Sequence, residues 1–342
     1  MLKKIILFFV SLFVGIALLV WIFNFIGWQQ IKNAFLVFTG WRGIIILLLT
    51  ALMLFFGMWK WQVILKGQGY SFSCRQLMGP YLSSFSLIYL FPIIIFGGEI
   101  FRGYSLKEKY SVPWSKGITS VMIDKILEMT AFLITIIVGM IFFFIRIGLP
   151  PGNFGIIIGG VLFFLCAAIG FFYFKSFKRK SIARIFIKFF SPQKRFISEE
   201  PVEMEREIFD FFKPRNKVLW QASAFAFLRV GVTWLRCWLL ILFLGSQIGI
   251  SSALSILGFY YFSLLIPIPM ALGSHEVVQM FAFGALGLGS GLAPAFTMIQ
   301  RAAELFLALI GMVIFFRFGV NLLKTFLFRR LENFIKDRNN YS

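Results

Sequence analysis

Residues 92–99, PIIIFGGE, and residues 269–276, PMALGSHE, end two apolar runs of this 342-residue chain alike, with a proline seven residues before a glutamate. A second matched block follows each glutamate, because residues 122–128 read MIDKILE and residues 298–304 read MIQRAAE. Both blocks therefore recur at nearly the same offset along the chain. Paired, proline-interrupted apolar segments at corresponding positions indicate a transporter-like site at a repeat interface. We therefore predict a membrane protein of two halves with a central polar site.

The composition excludes a soluble domain. The chain is 59% hydrophobic and 19% aromatic, and only 14% of its residues are charged. Several apolar runs reach the roughly 20 residues that a helix needs to cross a bilayer. We predict an all-α, polytopic membrane protein with about six full spans, at residues 5–26, 43–65, 118–145, 155–174, 218–244 and 295–318.

Two further apolar runs, residues 77–96 and 253–272, are broken by proline, and we predict that each enters the membrane and returns on the same side. Backbone groups freed by such breaks must be buried in protein or line a water-filled cavity. The residues predicted to act as structural hinges are Pro92, Gly97, Gly98, Pro267, Pro269 and Gly273.

The distribution of positive charge predicts the topology. The net charge is +20, and twelve Lys or Arg residues lie within residues 175–217. Basic clusters at the ends of spans mark the cytoplasmic side and favour anionic lipid surfaces. This placement argues against the interpretation that the positive charge binds nucleic acid. We predict a multi-pass protein of the cytoplasmic membrane with both termini cytoplasmic. A topology with an outer amino terminus and a fully spanning Pro92 segment stays open.

This topology has a consequence for the symmetry. Three full crossings separate the two proline-broken segments, so they enter from opposite faces as in an inverted repeat. We predict one transmembrane domain over residues 1–325, with halves at about 1–150 and 151–325, and a basic cytoplasmic tail at 326–342. Residues 175–217 form a cytoplasmic loop with an amphipathic helix suited to the membrane surface. The acidic stretch 199–210 follows this helix. A solvated linker helix without a function is an equally good interpretation.

Ionisable residues in the repeat elements and inside predicted spans are the functional signal. A charge near the bilayer centre costs about 2.5–3.5 kcal/mol on insertion scales, so such residues usually face a cavity or a partner. The residues predicted to bind substrate are Glu99, Arg102, Asp124, Glu128, Arg229, Arg236, Glu276, Arg301 and Glu304. Arginines would hold an anionic head group, and carboxylates a cationic group or a proton. Static ion pairs that lock the halves together remain the alternative.

Local spacing predicts how some of these charges pair. Lys125 with Glu128, and Arg301 with Glu304, are three residues apart and can pair within one helix. Lys60 lies between two tryptophans at a span end and is predicted to be an interfacial anchor.

No catalytic motif is present, and we predict neither an enzyme nor a cofactor. The sequence holds no GxSxG element, Walker loop or nucleotide fingerprint. Its three cysteines are isolated and His275 is the only histidine, so no metal site is predicted.

The matched blocks also resemble a known family. Residues 91–104, FPIIIFGGEIFRGY, followed by Asp124 and Lys125, resemble the first signature of the lysylphosphatidylglycerol synthetase transmembrane-region family. Residues 267–276, PIPMALGSHE, resemble its second signature, although Met270 and Ala271 stand where that family usually has glycines. The resemblance covers about residues 5–325.

The resemblance implies a flippase-like stand-alone membrane domain without the soluble aminoacyltransferase domain of bifunctional members. The implied substrate is an anionic or aminoacylated phospholipid, or a glycosylated or polyprenyl-linked lipid, whose head group moves between leaflets. The residues that carry over are Pro92, Gly98, Glu99, Arg102, Asp124, Pro269, Gly273 and Glu276. A secondary transporter of a small solute, an intramembrane lipid-modifying transferase and a non-transporting partner subunit remain alternatives, and self-association is left open.

Overall fold

The computed structural model of the protein describes residues 40–90, 97–148, 200–265, 274–289 and 291–339, with isolated positions between 159 and 170. Side chains are described up to residue 319, except at 200, 201, 202 and 274. Every regular element in these residues is an α-helix, which confirms the predicted all-α class.

Eight of the described helices fall into two sets of four. Half one contains α1 (Trp41–Gly67), α2 (Cys74–Leu90), α3 (Gly97–Tyr110) and α4 (Trp114–Ile147). Helix α5 (Glu200–Phe211) follows, and half two contains α6 (Lys217–Phe243), α7 (Ile250–Leu264), α8 (Ser274–Ala285) and α9 (Leu292–Asn339). The starts of α1 to α4 and of α6 to α9 are spaced alike along the chain, in nearly the register of the repeated sequence blocks.

Four helices are long and apolar enough to cross a membrane, namely α1, α4, α6 and the Leu292–Gly319 part of α9. They correspond to four of the six predicted spans, so the protein is a multi-pass helical membrane protein. In a bilayer such segments must be helical, since the hydrocarbon offers no partner for free backbone groups. The predicted span at 5–26 lies outside the described residues, as does most of the span at 155–174.

The turns after α1 and α6 show the repeat at the level of the backbone. Gly69 and Gly245 occupy equivalent positions after these helices, and both have a positive φ, at 90° and 87°. The amide of Gly69 donates to the carbonyl of Lys66 at 3.1 Å, and that of Gly245 to Leu242 at 3.0 Å. Glycine adopts this left-handed conformation without the steric cost of a Cβ atom. The same type of glycine turn therefore connects each of these two helices to the helix that follows it.

Helices α2 and α3 form an antiparallel pair, here called hairpin one. The Tyr110 hydroxyl at the end of α3 donates to the carbonyl of Gln76 near the start of α2, at 3.0 Å. At the other end, a Cβ atom on Gly98 would lie 2.5 Å from the carbonyl oxygen of Ser84, so glycine permits the close approach. The start of α2 and the end of α3 therefore lie at the same end of hairpin one.

Helices α7 and α8 form the equivalent hairpin two. Here Gln279 donates to the carbonyl of Ile256 at 3.2 Å, and the rings of Tyr260 and His275 lie 4.9 Å apart. The returning arms have 14 residues in α3 and 12 in α8. These lengths give about 21 and 18 Å, less than the ~30 Å of hydrocarbon in a bilayer. The tips, at residues 91–96 and 266–273, and with them Pro92, Pro267, Pro269 and Gly273, lie outside the described residues.

The two halves pack through helices that run in opposite directions. Helix α1 lies along its equivalent α6. Arg42 at the start of α1 donates to the carbonyl of Phe243 at the end of α6, at 3.3 Å. Gly67 at the end of α1 lies against Val218 at the start of α6. Helix α1 and its repeat partner are therefore antiparallel.

The remaining contacts between halves are reciprocal. Helix α2 packs along α9, and α7 packs along α4. A Cβ atom on Gly139 would lie 2.7 Å from the carbonyl of Leu254 and 2.9 Å from Cα of Gly258. One on Gly311 would lie 2.2 Å from the carbonyl of Leu82. Small residues let membrane helices approach closely enough for van der Waals packing to hold them together.

Helix α5 is docked on the membrane domain and is not merely a solvated linker. Its buried residues Ile208 and Phe211 belong to a hydrophobic cluster with Ile64 of α1, Ile123 of α4 and Ala222 of α6. Lys116 near the start of α4 forms an ion pair with Glu207. The acidic stretch thus closes one end of the helices that carry the central charges.

Candidate functional site

A cavity of about 320 Å³ lies between the two halves. All eight helices of the two halves contribute to its walls, from Met53 on α1 to Glu304 on α9. Lys125 lies eleven residues into α4, a distance of about 16 Å along the helix axis. The cavity therefore lies inside the bundle and not at the ends of its helices.

The structure brings the predicted substrate-binding residues together at this cavity. Seven of the nine line its wall, namely Glu99, Arg102, Asp124, Glu128, Arg229, Arg301 and Glu304. Arg236 and Glu276 are not part of the wall, but each pairs with a residue that is. Whether these side chains contact a substrate stays a prediction.

The starts of the returning arms carry one matched pair of ion pairs. Lys125 Nζ on α4 lies 3.5 Å from Glu99 Oε1 on α3. Arg301 Nη1 on α9 lies 2.5 Å from Glu276 Oε1 on α8. Cations and carboxylates thus occupy corresponding positions in the two halves. Each pair joins a hairpin arm to the long helix that follows it.

A second matched set joins the first helix of each half to its last. Lys60 Nζ on α1 lies 2.9 Å from Asp124 Oδ1 on α4, and it donates to the carbonyl of Asp124 at 3.0 Å. Its equivalent in half two, Arg236, lies 2.8 Å from Glu304 Oε1. Arg236 also donates to the Thr50 hydroxyl at 3.1 Å. Both cations are fully buried.

The prediction that Lys60 is an interfacial anchor is wrong. An anchor would extend to the headgroup region, whereas this side chain is fully buried and ends on Asp124. Its equivalence to Arg236 in the sequence repeat was a signal for this role. The pattern of a lysine between tryptophans at a span end obscured that signal.

The pairing suggested by local spacing also needs correction. Lys125 and Arg301 reach glutamates on the preceding hairpin arms, and Glu128 and Glu304 receive arginines from α6. Spacing along a helix identifies neighbours only on that helix. In the folded protein, each of these charged side chains lies closer to an oppositely charged residue of another helix.

One part of the site breaks the symmetry. Arg102 Nη1 lies 2.8 Å from Asp124 Oδ2, so this carboxylate holds two cations. The equivalent residues in half two are neutral, namely Gln279 and Gln300. Gln300 donates to the sulfur of Cys237 at 3.1 Å. At these two positions, half one therefore has an ion pair and half two has uncharged side chains.

Arg229 makes a contact of a different kind. Its Nη1 atom on α6 lies 2.7 Å from Glu128 Oε1 on α4. Among the ion pairs of the described residues, this one alone joins half two to half one. Its equivalent in half one is Met53, which is uncharged. Gly57 leaves room here, since a Cβ atom would lie 2.0 Å from the Tyr81 hydroxyl and 3.4 Å from Arg229 Nη1.

Sequence reasoning missed the aromatic and neutral polar lining. Tyr81, Tyr89, Tyr260 and Tyr261 contribute to the wall, and so does His275. The Tyr260 hydroxyl donates to Glu304 at 3.1 Å, and the Tyr89 hydroxyl to the carbonyl of Arg301 at 3.1 Å. Tyrosines are ordinary in apolar helices, so only their convergence on the charged residues distinguishes these four.

The charges of the site nearly balance. Eleven ionisable side chains form the cavity cluster, six cations and five carboxylates: Lys60, Arg102, Lys125, Arg229, Arg236, Arg301, Glu99, Asp124, Glu128, Glu276 and Glu304. One net positive charge inside a membrane suits an added anion, because desolvated charges need partners. No group of His, Cys, Asp and Glu within the described residues could hold a metal ion.

Two of the predicted hinge glycines are described. Gly97 and Gly98 begin α3, directly after the tip of hairpin one. Gly98 is buried against α2, where a larger side chain would meet the backbone of Ser84. Glycine at this point lets Glu99 approach Lys125 on the neighbouring helix.

Comparison with known proteins agrees with this architecture. The family described as lysylphosphatidylglycerol synthase TM region matches residues 8–311. A UPF0104 membrane protein of Methanocaldococcus jannaschii is 24% identical over 254 residues, which cover 71% of this chain and 74% of that protein. No solved structure matches the chain.

Proposed function

The chain belongs to the lysylphosphatidylglycerol synthase TM region family, and from this premise we propose that it moves the polar head group of a membrane lipid between leaflets. The observation that carries the proposal is the charged cavity between two antiparallel halves, away from the ends of the membrane-spanning helices. A head group crossing a bilayer needs a polar environment there, because hydrocarbon solvates neither its charges nor its hydrogen-bonding groups.

We propose further that the two halves form an inverted repeat. Helix α1 and its equivalent α6 run in opposite directions, and each hairpin starts on the face where its preceding helix ends. The hairpins would then enter from opposite faces and meet at the cavity. Inverted repeats support alternating access, in which one half rocks against the other around a central site.

Lipid is the preferred substrate because the cavity wall includes apolar residues that remain open to the surroundings. Ile88, Met129 and Leu264 line the cavity and are 37%, 42% and 44% exposed. In a bilayer such surfaces can contact acyl chains while the head group occupies the charged interior. A site for a soluble solute would instead be sealed from lipid.

The proposed substrates are anionic or aminoacylated phospholipids and glycosylated or polyprenyl-linked lipids. The cations of the cavity cluster suit the phosphate that these lipids share, and its carboxylates suit an amino group. We propose that the protein lies in the cytoplasmic membrane with both termini cytoplasmic, because its loop and tail are basic.

Leaflet exchange in liposomes tests the function. The purified protein would be reconstituted with fluorescent phospholipids carrying zwitterionic, anionic or aminoacylated head groups, and a membrane-impermeant quencher would report exchange. We expect exchange with the wild type and its loss in Glu99→Gln and Glu276→Gln, because each change leaves Lys125 or Arg301 without its carboxylate.

A matched control separates the site from a general effect of neutralising a glutamate. Glu207→Gln removes an equal charge from α5, outside the cavity wall, and should leave exchange unchanged. Wild-type exchange in both cavity variants would contradict the proposed site. Absence of exchange with every phospholipid, in protein shown to be folded, would contradict phospholipid translocation and favour a glycosylated or polyprenyl-linked lipid or a soluble substrate.

A further inference from the structure

The pair between Arg229 and Glu128 is not required by the repeat. In half two, Glu304 is satisfied by Arg236 of its own half and by the Tyr260 hydroxyl. In half one, the cation equivalent to Arg236 is Lys60, which pairs with Asp124. Glu128 is thus left to a residue of the other half, Arg229, at a position where half one has methionine.

Both partners of this pair face the cavity. The side chains of Arg229 and Glu128 are 12% and 14% exposed, whereas Lys60 and Arg236 are fully buried. A guanidinium presents five donors in a planar fork that matches the oxygens of a carboxylate or a phosphate. The guanidinium of Arg229 could therefore bind a phosphate in place of the Glu128 carboxylate.

Glu128 has other cations nearby if it leaves Arg229. Lys125, three residues earlier on α4, and Lys60 both interact electrostatically with it. Release of Glu128 would consequently not strand a buried charge, which is the outcome that makes breaking most buried pairs costly. The excess of one cation in the cavity cluster also means that an added anion completes the balance of charge.

We propose that Arg229 is the phosphate-binding residue of the cavity and that Glu128 is its built-in competitor. A lipid phosphate displaces Glu128 from Arg229. This displacement breaks the one ion pair that, among the described residues, joins the two halves. Binding of the head group is thereby coupled to relative movement of the halves. This inference deepens the proposed function, because it assigns the group that recognises the head group.

Binding measured in detergent tests the proposal without requiring transport. The probes are short-chain dihexanoyl-phosphatidylglycerol, glycerol phosphate and inorganic phosphate, with dihexanoylglycerol as the phosphate-free control. Wild-type protein, Glu128→Gln, Arg229→Met and the double variant would be titrated with each probe. Methionine is the matched substitution, since Met53 occupies the equivalent place in half one.

The expected pattern is specific to competition. Glu128→Gln should bind phosphatidylglycerol at least tenfold more tightly than the wild type, and Arg229→Met at least tenfold more weakly. The double variant should resemble Arg229→Met, because removing the competitor has no benefit once the binding residue is gone. Equal responses to all three phosphate probes would assign the site to phosphate alone, and a response to phosphatidylglycerol alone would assign it to a lipid head group.

Two results would overturn the proposal. One is unchanged binding in Arg229→Met, and the other is a loss of binding in Glu128→Gln as large as that in Arg229→Met. If Arg229→Met does not fold, Arg229→Lys keeps the charge but loses the planar fork, and it should still bind phosphate more weakly than the wild type. Because leaflet exchange is measured separately, exchange without the binding pattern refutes this inference alone, and the binding pattern without exchange refutes translocation alone.

Discussion

Lys60 and Arg236, which are equivalent in the repeat, lie on two antiparallel helices, and each is fully buried against a carboxylate on the last helix of its own half. The distances to these carboxylates are 2.9 and 2.8 Å. Each half is therefore held together by its own buried cation. The one described ion pair between the halves, Arg229 with Glu128, is more accessible from the cavity.

The burial of Lys60 predicts a large loss of stability in Lys60→Met. Removing one partner of a buried ion pair typically costs about 3–5 kcal/mol, since the other charge is left uncompensated. Arg102 still pairs with Asp124, so the loss should fall at the lower end of that range. Thermal unfolding in detergent, followed by tryptophan fluorescence, measures the change.

The control for this prediction is Lys116→Met, which removes a lysine from a half-exposed pair at the end of α4. Exposed pairs contribute about 0–1 kcal/mol, so the control should unfold within a few degrees of the wild type. If Lys60→Met were no less stable than Lys116→Met, the buried role of Lys60 would be refuted.

The antiparallel packing of α1 and α6 predicts a specific disulfide. A Cβ atom on Gly67 would lie 3.3 Å from Cβ of Val218, near the range that disulfides span. Gly67→Cys together with Val218→Cys should therefore cross-link on mild oxidation. The native cysteines Cys74, Cys166 and Cys237 would first be replaced, and mass spectrometry of proteolytic fragments would detect the bond.

A second cysteine pair serves as the control for direction. Trp41→Cys with Val218→Cys places the thiols at opposite ends of the two helices, 26 residues or about 39 Å apart along the axis. It should not cross-link. Efficient cross-linking of this pair, with none for the 67/218 pair, would mean that the helices are parallel.

Much of this architecture could be predicted from the sequence because the membrane imposes simple rules on it. An apolar run of some 20 residues has to be helical, so α1, α4, α6 and the Leu292–Gly319 part of α9 were predictable within a few residues. The matched positions of Glu99 and Glu276 after the two proline-broken runs likewise marked them as members of a central site.

The pairing of charges was not predictable in the same way. Sequence spacing identifies neighbours on one helix, whereas each ion pair that lines the cavity joins two helices. The choice between Lys60 as an anchor and Lys60 as a buried partner depends on whether Asp124 faces α1, which only packing decides. Gln279 and Gln300 align with Arg102 and Asp124 when the two repeats are compared. Because both glutamines are uncharged, they did not stand out as part of the site.

Close packing between α2 and α9 predicts that Gly311→Ala is destabilising. The added Cβ atom would lie 2.2 Å from the carbonyl oxygen of Leu82 and equally close to the Ser86 hydroxyl, so the helices must separate. Overpacking of this kind typically costs about 1–3 kcal/mol. The change in unfolding temperature in detergent measures it.

Gly231→Ala is the matched control for that substitution. Gly231 lies within α6, and a Cβ atom added there would point into open space, with no neighbouring group within 4 Å. Alanine should be tolerated there and can even stabilise, because it favours the helix over the unfolded chain. A loss of stability equal to that of Gly311→Ala would show that the contact with Leu82 is not the cause.

The proposed inverted repeat predicts opposite accessibility for two equivalent turns. Ser71 follows α1 and Gln247 follows α6 at the matching position, and both are exposed. Single cysteines at these positions, in a chain without its native cysteines, would be labelled in intact cells with a membrane-impermeant maleimide. Since α1 and α6 run in opposite directions, the two turns should lie on opposite sides of the membrane. The distribution of basic residues predicts that the turn at Gln247 lies outside, so we expect Gln247→Cys to react at once and Ser71→Cys only after permeabilisation. The reverse order would keep the inverted repeat but reverse the orientation, and equal labelling of both from one side would refute the inverted repeat itself.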